Sequence, residues 1–499
     1  MNHSTTPAAS PVVQRTTRSE DERLPLGSTI AYGLQHVLTM YGGIIAPPLI
    51  IGPAAGLSPA EIGALITACL FMGGLATLLQ TIGVKWFGSQ LPLVQGVSFA
   101  GVATMVAIVD GGGGLPAVFG AVIVASLIGL AIAPLFATII RFFPPVVTGV
   151  VITTIGLTLL PVAAMWAMGG NPSADSFGSA QNIGLAGLTF VIVLVLSKLG
   201  NATISRLSIL LAIVLGTLVA AVLGVVDFST VGQGPVVAFP TPFAFGAPTF
   251  HVAAIVSMLI VILVTLTETT ADILAVGEIV GTKVDRKRIA AGLRADMASS
   301  AVSPVFGSFT QSAFAQNVGL VAITKIKSRY VVAAGGGILV VLGLLPILGR
   351  VVAAVPSPVL GGAGIVLFGS VAASGIRTLS KVRYDDTMNL VIVASSLGIG
   401  MLPVVAPEIY EDFPSWFRTI FDSGISSAAL VAILLNILFN HLPVGNSQRA
   451  SVLAASPARM VREDELAALL DGDSFVGGRL IDADGNEVPV TGRQGEASH

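Results

Sequence analysis

The sequence predicts an all-helical protein that crosses a membrane fourteen times, and three observations carry the prediction. The first is composition. Of 499 residues, 54% are hydrophobic and only 10% charged, against about 25% charged in ordinary soluble domains. The second is where the charges lie. Residues 1–26 and 445–499 hold 8 of the 25 basic and 12 of the 27 acidic side chains, which leaves 32 for residues 27–444. A soluble fold of that length needs far more to solvate its surface. The third is sidedness. With the N-terminus inside, the inner loops carry 14 Lys and Arg and the outer loops carry 2, Arg350 and Arg418. Miscounting one span in the middle would reverse every later loop and destroy the bias. Both termini are therefore expected in the cytoplasm, and the chain in a plasma (inner) membrane.

About 20 apolar residues suffice to cross the hydrocarbon. Runs of this kind lie near 29–50, 61–82, 91–109, 115–139, 144–168, 182–199, 207–226, 251–276, 289–305, 311–324, 331–354, 358–375, 387–404 and 426–443. Two of them, 91–109 and 311–324, are short or glycine-interrupted. Many of the 57 glycines fall inside the runs, where small residues let helices approach closely. Met1–Leu26 is polar and reads as a disordered cytoplasmic tail rather than a signal peptide. Residues 444–499 read as a second tail. Ser456–Leu470 could form one amphipathic helix there, with Ser456 as cap and Pro457 at the first helical position, followed by a turn-rich, weakly structured stretch. Cys69 is the single cysteine, so neither an intrachain disulfide nor a cysteine metal site is available. A net charge of -2 and the lack of a basic stripe argue against nucleic acid.

Fourteen spans divide into seven and seven, and an odd number per half inverts the second half against the first. Phe87-Gly88-Ser89 precedes the short third span and Phe306-Gly307-Ser308 precedes the short tenth. Pro145-Val146-Val147-Thr148-Gly149 opens the fifth span and Pro358-Val359-Leu360-Gly361-Gly362 the twelfth. Interrupted spans at matching places in two halves point to a transporter's binding site.

Ionisable residues inside spans are costly and mark function. Glu268 and Asp272 lie four apart in span 8, on one helix face. Two carboxylates so close in low dielectric cannot both ionise cheaply, so a proton held by the pair can be taken up and released. Asp296 in span 9 and His36, next to Gln35 in span 1, fit a structural role about as well as a functional one. Glu278, near Lys283, reads as an interfacial charge. Span 10 carries Gln316-Asn317, an expensive pair in hydrocarbon unless satisfied. The planar Gln amide offers a donor and an acceptor that match the edge of a heterocycle. Phe99, beside Ser98 in span 3, and Phe314 in span 10 offer ring faces for stacking. No metal triad or nucleophile accompanies the carboxylates, so an enzyme is not expected, nor a metal or cofactor.

The stretch from Gln316 to Lys325 resembles the signature of the nucleobase–ascorbate transporter family: Gln or Glu, Asn, any residue, Gly, four residues, Thr, then a basic residue or Gly. Gln35-His36, the Glu268/Asp272 pair and Asp296 are similar to that family's residues in spans 1, 8 and 9. Thr269-Thr270-Ala271 departs from it, since bacterial members often have a Gly just before the Asp. The resemblance covers residues 27–443. It implies a core domain (spans 1–4 and 8–11), a gate domain (spans 5–7 and 12–14), and short extended segments in spans 3 and 10 with substrate between them. It also implies a homodimeric symporter, proton-coupled as bacterial members usually are, though the residues leave sodium open. By the resemblance Glu268 and Gln316 would hydrogen-bond a purine such as xanthine or uric acid, and Phe99 would stack on it. Ser98 and the backbone near Ala315 and Gly96 would contribute, while His36, Asp272, Asp296 and Asn317 would organise the site. Glu in place of Gln316 would instead accompany uracil. A third reading, an anion carrier of the related sulfate-permease fold, expects a basic residue near the crossing of spans 3 and 10, and the sequence reading places none there. Because the C-terminal tail adds no span, truncation after residue 450 is expected to leave insertion and transport near wild type. A truncated protein that reaches the membrane but transports nothing would make the tail part of the mechanism.

Overall fold

A computed structural model describes residues 18–139, 144–229, 231–232, 234–384, 388–442, 474–476 and 479–482. The first half runs through α1 (Leu26–Ala54), α2 (Pro59–Ile82), strand β1 (Gln95–Val97), α3 (Val102–Ile108), α4 (Gly114–Ile139), α5 (Pro145–Ala167), α6 (Ala180–Leu199), α7 (Ala202–Arg206) and α8 (Ser208–Val222). The second runs through α9 (Val252–Val280), α10 (Arg286–Val302), strand β2 (Gln311–Ala313), α11 (Ala315–Thr324), α12 (Arg329–Gly343), α13 (Pro346–Ala353), α14 (Ser357–Leu379), α15 (Asn389–Val405), α16 (Ser415–Phe421) and α17 (Gly424–Asn440). Local chemistry sets several ends. Ser58 caps α2 in a reciprocal box with Glu61, and Pro59 occupies the first helical position, where its missing N–H costs nothing. The Asp285 carboxylate caps α10 through the Arg288 N–H.

Seven helical segments among the described residues are long and apolar enough to cross a membrane, or up to eight if α12 and α13, bent by 79° at their junction, count as one span. One of the seven, Phe99–Phe136, joins the helical part of span 3 to span 4; α8, α11, α15 and α17 are shorter apolar helices, and spans 3 and 10 each begin with a strand. Packing follows an inverted repeat. Helix α1 packs on α12 as α9 packs on α4, and α2 packs on α12 as α10 packs on α4. Helices α5 and α14 form the closest seam, with α6 and α8 on one flank and α15 and α17 on the other. Glycines permit that seam: a Cβ on Gly156 would lie 2.2 Å from the Ala372 nitrogen, and one on Gly375 2.3 Å from that of Thr153.

The end of the N-terminal tail is not the disordered segment expected from its charges. Residues Ser19–Asp21 form a 3-10 turn against the end of α9 and the starts of α10 and α12. The Glu20 side chain is fully buried and pairs with Arg288 at 2.6 Å, while Asp21 pairs with Arg329 at 2.6 Å. Ser19 donates to the Val280 carbonyl, Ser328 donates to that of Glu22, and Arg23 lies over the Tyr330 ring. The two arginines also bind α2 and the loop beyond it: Arg288 donates to the carbonyls of Ser89 and Gln90, and Arg329 to those of Thr81 and Ile82. A run of acidic residues reads as solvated in isolation, and its partners lie more than 250 positions away. Glu20→Ala leaves Arg288, 12% exposed, without its carboxylate, which costs up to about 3–5 kcal/mol for a buried pair broken on one side. The midpoint of thermal unfolding in detergent is expected to fall by several degrees for Glu20→Ala and not for Glu22→Ala, whose side chain is exposed. Equal midpoints would mean that the pair contributes nothing.

In the C-terminal tail, β3 (Ser474–Val476) and β4 (Arg479–Ile481) form a small antiparallel hairpin in the stretch expected to be weakly structured. The helix expected over Ser456–Leu470 lies outside the described residues.

Candidate functional site

Strands β1 and β2 meet antiparallel in register, Gln95 with Ala313, Gly96 with Ser312 and Val97 with Gln311. Ser98 N–H to the Thr310 carbonyl (2.8 Å) and Phe314 N–H to that of Val94 (3.1 Å) extend the ladder at either end. These contacts exchange when the two halves are exchanged. So do the clamps behind the strands. The Thr77 hydroxyl of α2 accepts the Gln95 N–H (2.9 Å) and lies 3.1 Å from its carbonyl. The Ser300 hydroxyl of α10 accepts the Gln311 N–H (2.8 Å) and lies 3.3 Å from its carbonyl. Isolated two-stranded pairs are marginal. Here each strand is held by a helix of its own half, and every clamping group is buried. A 3-10 turn, Phe99–Gly101, leads from β1 into α3, and α11 starts directly after β2. Two helix N-termini, the positive ends of the backbone dipoles, thus converge on the crossing.

A cavity of about 400 Å³ lies beside it, within the range of small-molecule sites. One wall holds Ser98, Phe99, Glu268, Asp272, Ala315 and Gln316; the other holds Thr148, Ile152 and Ile155 of α5 with Ser370, Ser374 and Arg377 of α14. Glu268 and Asp272 are half-buried and open onto this space, and Gln316 is exposed onto it. Phe99 lines it and packs edge-on against Phe368 at 6.1 Å. Ser98 is buried and its hydroxyl accepts the Ala100 N–H, capping the turn. A second cavity of about 840 Å³, lined in part by Asp110, Trp166 and Arg418, contains none of the candidate site residues.

Most of the remaining predicted residues stand behind the cavity. The Asn317 amide donates to the His36 carbonyl (3.0 Å) and to its Nδ1 (3.1 Å), which leaves the ring proton on Nε2 and ties α1 to α11. Asp296 is fully buried. It accepts from Gln80 Nε2 (3.3 Å) and from the Thr269 hydroxyl, and not from Arg294, whose side chain reaches toward Trp86. Gln35 is half-buried outside the cavity and gives its carbonyl to Thr39. Gly96 does not line the cavity either. A Cβ there would lie 2.7 Å from the Phe314 ring and 2.9 Å from Met40. Its bare backbone seats the ring of Phe314, which is 5% exposed and itself lines the cavity.

Sequence reasoning missed the α5 and α14 wall. Its residues are small, apolar or hydroxylic, apart from Arg377, and only the proline-glycine openings of these two helices marked them. Arg377 was counted as a loop charge, and no basic residue was placed near the crossing. Helix α14 in fact extends to Leu379 and carries Arg377 to the cavity wall.

Paired broken segments, intramembrane carboxylates and a cavity between two helix groups are the architecture of a multi-pass membrane permease. The family model Xan_ur_permease, described as a permease family, matches residues 27–409, and the chain belongs to it, the nucleobase–ascorbate transporter family. The uric acid transporter UacT of Escherichia coli is 40% identical over 85% of this chain and 89% of its own length. The xanthine permease of Bacillus subtilis is 40% identical over 83% and 94%. Among solved structures, the transmembrane domain of the cyanobacterial bicarbonate transporter BicA matches with a TM-score of 0.51 at 15% identity, over 83% of this chain and 96% of its own, and shares the fold.

Proposed function

We propose that this permease imports a purine nucleobase, xanthine or uric acid, by proton symport. The observation that carries the reading is the convergence of Glu268 and Gln316 on one cavity beside Phe99 and two helix N-termini. A protonated Glu268 carboxyl donates one hydrogen bond and accepts another, and the Gln316 amide does the same, which suits the alternating edge of an oxopurine. Phe99 supplies the apolar face. The similarity to uric acid and xanthine carriers supports the substrate class. In this reading α1–α4 with α9–α13 form a core that moves as a body against a gate built on α5 and α14, and the site faces alternate sides of the inner membrane. Both termini lie in the cytoplasm and two copies associate through the gate. Labelled xanthine uptake, competed with unlabelled purines, pyrimidines and ascorbate and repeated with an uncoupler, tests it. Competition by uracil alone, or accumulation indifferent to the uncoupler, would overturn the substrate or the coupling respectively.

Arg377 on the cavity wall favours a second reading, an anion carrier. Saturable sulfate or bicarbonate uptake without competition by xanthine would establish it in place of the first.

A further inference from the structure

A hydroxyl beside Glu268 has no part in the transport scheme, yet it joins the helix that carries Glu268 to the strand that leads to Gln316. Thr269 is fully buried on α9. Its Oγ1 donates to Oδ2 of Asp296 and accepts the backbone N–H of Ala313 at 3.3 Å. From the other side, Oδ1 of Asp296 accepts from Nε2 of Gln80 at 3.3 Å, and Oε1 of Gln80 accepts the N–H of Ser89 at 3.0 Å. The direction of every bond is set by its ends. Both backbone N–H groups must donate, so Gln80 must turn its oxygen to Ser89 and its nitrogen to Asp296. Thr269 has one proton, and with Ala313 occupying a lone pair that proton goes to the carboxylate. The result is an unbroken chain through the loop before β1, α2, α10, α9 and β2.

The chain ends at a significant place. Ala313 closes β2, and Gln316 follows three residues later on α11. Thr269 is the neighbour of Glu268. One turn of α9 therefore carries both the Glu268 carboxylate and the group that holds the strand leading to Gln316. We propose that Thr269 is a positioning residue, setting the gap between Glu268 and Gln316 by fixing β2 to α9 through the Ala313 N–H. The substrate consequence rests on the purine-permease reading, while the strand-fixing consequence does not.

Thr269→Val keeps the shape and removes both bonds, stranding a buried N–H and one carboxylate oxygen, each of which costs free energy. At matched amounts in the membrane, KM for xanthine is expected to rise about tenfold with the maximal rate within about threefold of wild type, and Thr269→Ser is expected to restore KM. A purely structural role would lower the amount of protein inserted and leave the KM of the inserted fraction alone. Where Thr269→Val inserts too poorly to assay, Thr269→Ala compared with Thr269→Ser decides the same question. A second readout does not depend on what the cavity carries. Cys69 is fully buried and quiet, so Ala315→Cys, exposed onto the cavity, reports the placement of the β2–α11 junction through its maleimide labelling rate. That rate is expected to change at least threefold when Thr269→Val is added and to remain unchanged with Thr269→Ser. An unchanged KM and labelling rate in Thr269→Val, or a Ser variant as impaired as Val, would overturn the assignment. Wild-type protein without saturable xanthine uptake would sink the purine reading, and the labelling result would still settle the role of Thr269.

Discussion

Glu268→Gln is expected to abolish uphill accumulation of purine while leaving measurable binding. The glutamine keeps the shape of the side chain and a donor toward the substrate, but it cannot take up or release a proton. Glu268 and Asp272 open onto the same cavity one helical turn apart, and two carboxylates so placed share a proton more readily than they both ionise. On the proposed symport, loss of that proton on the inner side would remove the donor and free the substrate, and so link proton flux to purine flux. With glutamine the cycle can run only downhill. The steady-state ratio of inside to outside xanthine, measured in energised cells, should fall to near unity and stop responding to external pH. If Glu268→Gln concentrates xanthine as the wild type does, the proton rides elsewhere, and Asp272, Asp296 and His36 become the candidates to test.

Gln316→Glu is expected to weaken purine uptake strongly and shift preference toward uracil. The change replaces an amide donor with an acceptor, so a purine carbonyl that fills the cavity loses its partner there. An unmatched buried group costs about 1–3 kcal/mol, which corresponds to roughly 5- to 150-fold in affinity. It also places a third carboxylate beside Glu268 and Asp272, adding like-charge repulsion in the same cavity. Parallel competition curves for xanthine, uric acid and uracil measure the shift. Unchanged xanthine and uric acid curves would remove Gln316 from the site.

The chemically loud residues could be read directly from the chain. Glu268, Asp272, Asp296, His36 and Gln316 stand in apolar runs where each polar group is costly, and cost makes them visible. The repeat could be read because Phe-Gly-Ser and the Pro-Val openings recur at matching places. The quiet residues could not. Thr77, Ser300 and Thr269 are the kind of hydroxyl residue that a membrane helix tolerates anywhere by bonding back to its own turn, and nothing local separates those that hold a strand from those that do not. Gln80 hides for a different reason. Its meaning lies in Asp296, 216 residues away. The resemblance implies a substrate contact from the backbone near Gly96, and what the chain alone does not reveal is that its lack of a side chain also makes room for the Phe314 ring. Arg377 was misplaced because a charge count assigns residues to loops and takes no account of where a helix stops.

The acidic turn at Glu20 and Asp21 has a consequence for how the protein is made. Its partners, Arg288 and Arg329, follow it by 268 and 308 residues. A ribosome adding about 5–20 residues per second needs roughly 15–60 s to cover the longer interval, so the acidic turn waits for α12 to be made before its contacts can close. During that wait the acidic pair lacks its arginines. Closure then reports that insertion has proceeded at least as far as Arg329. A cleavage site engineered just before Arg18 should be cut rapidly on stalled nascent chains shorter than this and slowly on longer ones, which makes the N-terminal turn a timer for assembly.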